Sequence, residues 1–111
     1  MSFFEQDLIR NELEEMTELY QEIAEVMYSL YEKSDTTRRE CLDKLERLVE
    51  LQELLYFRAK YSSDTEAEEF VHMLRASAAF LGVPSHVDVS EIFTQMKEDI
   101  GKAKEKLDKS I

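Results

Sequence analysis

Glycine and proline are almost missing from this chain, with two and one among 111 residues. Tight turns and sheet corners depend on both, so a β-rich fold is poorly supplied. A single cysteine, Cys41, rules out a disulfide within the chain and fits a reducing, cytoplasmic setting. Tryptophan is absent and histidine occurs twice. No glycine-rich phosphate loop is present, and no Ser-His-Asp order invites a triad, so nothing supports nucleophilic catalysis. No apolar run approaches a membrane span, and no signal-peptide pattern opens the chain. Bases are also few: 14 against 25 acids, for a net charge of −11. A polyanion repels such a chain, so direct nucleic-acid binding is not expected.

What is abundant is glutamate and leucine in long periodic runs, the composition of an all-α chain. Its length suits one domain, residues 1–111, with a real but modest core. Ile9, Leu13, Met16, Tyr20, Ile23, Met27 and Leu30 recur at spacings of four and three, which keeps them on one helical stripe. Leu8, Leu19 and Val26 widen it. The opposite face carries Glu12, Glu14, Glu15, Glu18, Glu22 and Glu25. This amphipathic helix is expected to be the element that the others pack against.

Ser2 with Glu5 reads as a capping box opening a helix over about residues 3–32. Lys33 to Thr36 has turn chemistry, and Thr37 with Glu40 caps a second helix over about 37–61. The short connection makes the pair an antiparallel hairpin on the order of 40 Å long. The inner stripe of the second helix is Cys41, Leu42, Leu45, Leu48, Val49, Gln52, Leu55, Tyr56 and Ala59. Leu51, Leu54 and Phe57 lie on its back, so residues 51–57 are apolar almost all round. Either later helices cover that surface or a second chain does. Ser63 or Thr65 caps a third helix over about 65–81, which turns Ala67, Phe70, Val71, Leu74, Ala78 and Leu81 inward. Gly82 and Pro84 stop it. Asp88 with Glu91 starts a fourth helix over about 89–108, with an apolar stripe through Val89, Ile92, Phe93, Met96, Ile100, Ala103 and Leu107.

With the helices placed, several short motifs align: Met1-Ser2-Phe3-Phe4, Tyr20-Gln21-Glu22, Tyr56-Phe57-Arg58, Phe80-Leu81-Gly82, and Ile92-Phe93-Thr94-Gln95-Met96. Together they resemble a small family of all-helical domains of unknown function from cyanobacteria and cyanophages. The connection from Val83 to Ser90 is longer than the family's. The resemblance implies fold and source and carries no catalytic residues.

The sharpest chemical signal is Glu14-Glu15-x-x-Glu18 followed by Glu40-x-x-Asp43. It resembles the acid pattern of all-α, MazG-like nucleotide pyrophosphohydrolases, which implies Mg²⁺ held by Glu15, Glu18, Glu40 and Asp43. Against it, Glu18, Glu40 and Asp43 point roughly 140° or more from the apolar stripes, and Glu15 lies at a stripe's edge. A solvated acidic face is the favoured reading. Glu69-x-x-His72 matches half of a di-iron carboxylate site, but both residues point away from Phe70, Val71 and Leu74. No cofactor or metal is expected. Cys41, on the inner stripe, reads as a buried, inert thiol.

Tyr28, Tyr31, Tyr56 and Tyr61 lie near the ends of the hairpin helices. Tyrosine there serves helix-end packing or a binding surface. Leu51, Leu54, Tyr56, Phe57 and Tyr61 are the interface candidates. The expected protein is a non-enzymatic acidic interaction or regulatory module, a homodimer that binds a protein partner of basic character. The alternatives are the Mg²⁺-dependent pyrophosphohydrolase and an acidic decoy that occupies a nucleic-acid-binding protein.

Overall fold

Phe3 and Phe4 decide how the chain begins. In the computed structural model, which describes residues 2–29 and 32–109, they sit in a 3-10 turn, Phe3–Glu5. Phe3 is buried, and the Phe4 ring meets Phe70 edge-on with centroids 5.6 Å apart. The Phe4 amide also donates to Glu66 Oε1 at 3.3 Å. This anchorage overrides the expected capping box, and the Ser2 side chain caps nothing. Gln6 is extended, and α1 runs only over Asp7–Met27. The expected stripe residue Leu30, and Tyr31, lie outside the described residues.

Three more helices follow: α2 over Asp35–Lys60, α3 over Thr65–Phe80 and α4 over Val89–Lys109. No strand occurs among the described residues. The caps differ in detail from the expected ones. Ser34 rather than Thr37 opens α2, its hydroxyl accepting from the Thr37 amide at 3.2 Å. Asp64 rather than Ser63 or Thr65 opens α3, accepting from the Glu66 and Ala67 amides at 2.9 and 3.4 Å. A carboxylate near a helix N-terminus gains from the dipole as well as the hydrogen bond.

At the end of α3, Gly82 has φ +92°. The Val83 amide reaches back to the Ala78 carbonyl and the Gly82 amide to Ala79, both at 3.0 Å. This is the Schellman closure that the sequence signals.

The centre of the fold is α2, not the first helix. It packs against α1, α3 and α4, and most closely against α4. The reason is the number of apolar faces. Leu48, Val49, Leu51, Leu55, Tyr56 and Ala59 are all buried on α2. On α1, Ile9, Met16 and Ile23 are the buried apolar residues, while Tyr20 and Met27 stay about half exposed. One stripe needs one neighbour; α2 has enough for three. The molecule measures 49 × 33 × 19 Å with a radius of gyration of 16.0 Å. A compact domain of this size has about 13 Å, so helices spread beside α2 leave much side-chain surface open.

Candidate interaction surfaces

The seams between helices are stitched by charge. Across α1 and α2, Glu12 pairs with Arg58, and the carboxylate of Glu15 takes two bonds from Arg47, at 2.6 and 3.1 Å. Glu22 meets Lys44 at 3.4 Å, and the Tyr20 hydroxyl accepts from Gln52 at 2.6 Å. The Arg47 hydrogen bond and charge hold the Glu15 carboxyl below its ordinary range, and the same bond raises Arg47. Across α2 and α4, Lys104 reaches Asp43 at 2.7 Å and Glu46 at 3.2 Å, Lys97 reaches Glu53 at 2.8 Å, and Arg39 pairs with Asp108.

These pairings place the candidate metal ligands. Glu15 belongs to the α1–α2 seam and Asp43 to the α2–α4 seam, each already paired with a cation. Glu18 and Glu40 are exposed. The structure does not bring the four together, and no group of three or more metal-ligating side chains forms among the described residues. Glu69 and His72 are also exposed on α3. Cys41 is buried at 2 % exposure, and loss of solvent pushes its thiol up.

Two of the five interface candidates belong to the core instead. Leu51 is 1 % exposed and Tyr56 has no exposed surface. The Tyr56 ring lies against Phe57 and Phe93, and its hydroxyl donates to Asp88 at 2.6 Å. Tyr56 is covered by α4 through Phe93, and Leu51 lies on the side of α2 whose Lys44, Arg47 and Arg58 reach α1, so the chain covers both residues itself. Leu54 remains 42 % exposed, Phe57 half-buried and Tyr61 exposed. They share a stripe at the C-terminal end of α2.

Besides that stripe, two surfaces stand out among the described residues. One is a ridge on α1: Asp7, Glu14, Glu18 and Glu25 are exposed, and none meets a cation among the described residues. At helical spacing they fall within roughly 40° of one line. The other lies on α3, where Met73, Ala76, Ser77, Phe80 and Leu81 form an open apolar groove. Leu81, expected inward, is 81 % exposed because it sits past the last turn of α3 as its C-cap. Met73 and Phe80 were legible as a second stripe, seven apart, on the back of the helix.

Together these features define a small all-helical protein whose inner charges tie helix to helix and whose outer surface includes an acidic ridge and an apolar face. Residues 1–107 match a family model described as a domain of unknown function, DUF1825, and the chain belongs to that family. No curated protein and no solved structure matches the chain. Among the described residues no helix is long and apolar enough to cross a membrane.

Proposed function

We propose that this protein is a non-enzymatic interaction module that docks a basic segment of a protein partner on the outer face of α1. The carrying observation is the contrast between the two sides of that helix. Glu12, Glu15 and Glu22 are neutralised by Arg58, Arg47 and Lys44 of α2. Asp7, Glu14, Glu18 and Glu25 are not neutralised, and they run over roughly 27 Å on a helix held from behind. A row of exposed carboxylates without contacting cations attracts a cationic surface and speeds its encounter. The cyanobacterial or cyanophage source implied by the family resemblance, and the cytoplasmic location expected from the single cysteine, belong to the same reading.

The test compares partner capture from a lysate by wild type and by a Glu14→Lys, Glu18→Lys double variant. A basic protein retained by wild type, eluted by salt and lost from the folded variant supports docking on the ridge. Equal retention by both proteins, or retention insensitive to salt, overturns it. Release of pyrophosphate from nucleoside triphosphates, dependent on Mg²⁺ and abolished by Glu15→Ala or Asp43→Ala, would replace it with the enzymatic alternative.

A further inference from the structure

Phe80 is 90 % exposed, Leu81 81 % and Met73 58 %. Single exposed apolar residues are ordinary on a protein surface, but three large ones around one groove mark a contact site. The opposite side of α3 is already used: Ala67, Val71 and Ala78 are buried. Leu74 and Phe70 pack against the core. The outer face therefore has no place to go within the chain.

We propose that this face binds a second copy of the same chain, with the two α3 helices antiparallel about a two-fold axis passing between Ala76 and Ser77. The pattern of the face is its own complement. Met73-x-x-Ala76-Ser77-x-x-Phe80 reads the same in size when reversed: large, small, small, large. Antiparallel pairing sets Met73 against the other copy's Phe80 and Ala76 against its Ser77. A two-fold interface requires this self-match, in which each patch meets an identical patch. Methionine sulfur against an aromatic ring is a favourable contact, and small residues at the crossing let the helix axes approach closely.

Charge selects the same orientation. The first turns of α3 carry Glu66, Glu68 and Glu69, and its apolar face lies beyond them. Parallel packing would set these acids side by side. Antiparallel packing separates the two Glu69 positions by roughly 22 Å, well beyond the ~8 Å screening length at physiological salt. Large apolar side chains expose on the order of 150 Å² or more each, so the three present roughly 350 Å² per chain. With a polar rim this reaches the lower end of stable interfaces, about 1,200 Å² in total.

Sedimentation velocity at tens of micromolar, with far-UV circular dichroism to report folding, tests the assignment. Wild type should sediment as a dimer. Phe80→Asp and Met73→Asp should each remain helical and associate at least about tenfold more weakly. Leu54→Asp, on α2, should leave the dimer intact, as should the Glu14→Lys, Glu18→Lys variant used for the ridge. Ser77→Cys beside the axis should form an interchain disulfide under mild oxidation, whereas Thr65→Cys at the far end should not. A monomeric wild type would overturn the proposal and leave the face to a foreign chain. So would a dimer that survives Phe80→Asp, a dimer that Ser77→Cys fails to cross-link, or unfolding of both α3 variants.

Discussion

The Tyr56 hydroxyl donates a 2.6 Å hydrogen bond to Asp88 Oδ1, tying the middle of the fold to the start of its last helix. Asp88 also caps α4, accepting from the Ser90 hydroxyl and, at 3.3 Å, from the Ser90 amide. Lys60 stands 3.6 Å from its other oxygen. One carboxylate thereby connects the end of α2, the loop after α3 and the first turn of α4.

This arrangement makes stability acid-sensitive in a defined window. The Ser90 hydroxyl first, then Tyr56, the Ser90 amide and Lys60, lower Asp88 from 3.8 to about 2. Its contribution is therefore complete above pH ~4 and lost as pH falls towards 2. Because the side chain is about one-third exposed, screening reduces the effect to about 1–2 kcal/mol. Urea titrations at pH 7 and pH 2.5 should show a loss that Asp88→Asn largely removes. Tyr56→Phe should cost about 1 kcal/mol at pH 7.

Glu12 is buried at 9 % exposure, and its Oε2 meets no hydrogen-bond donor among the described residues. Among the described residues Arg58 is the cation in contact with it, and Arg47 lies near enough to feel its charge. Arg58→Met should therefore destabilise the fold by about 3 kcal/mol, because a carboxylate is left buried and unpaired. Adding Glu12→Leu should recover most of that loss. A double-mutant cycle by chemical denaturation measures both effects, and a double variant as unstable as the single one would contradict the account.

Cys41 should react slowly with a thiol reagent in the native state and rapidly in denaturant. Burial both hides the sulfur and raises its pKa, and the thiolate is the reactive form. Rates that match under the two conditions would place the thiol outside the core.

At Gly82 the backbone has φ +92°, while open space surrounds the position a Cβ would take. Strain is thus the sole direct cost of a side chain here. Gly82→Ala should destabilise by about 1 kcal/mol, read as a lower thermal midpoint, without disturbing any neighbour.

Much of this molecule is legible without its structure, because periodicity and capping are local. The stripe through Ile9, Met16 and Ile23, the inward Cys41, Leu48 and Leu55, the Gly82 stop and the Asp88 start each depend on a few neighbouring residues. These determined an all-α chain of four helices and an acidic outer face on the first. Two matters were not local. Residues 51–57 are apolar nearly all round, so the pattern there names no covered face, and on α3 it names the inward face through Ala67, Val71 and Ala78 but not the end at Leu81. The loops after Lys60 and Phe80 choose how α3 and α4 cross α2. That choice buried Tyr56 against Phe93, left Phe80 and Leu81 in solvent and brought Lys104 to Asp43, while the pairing of α1 with α2 brought Arg47 to Glu15. Which helix became the centre, and which acids were neutralised, could be settled only by residues distant in sequence meeting in space.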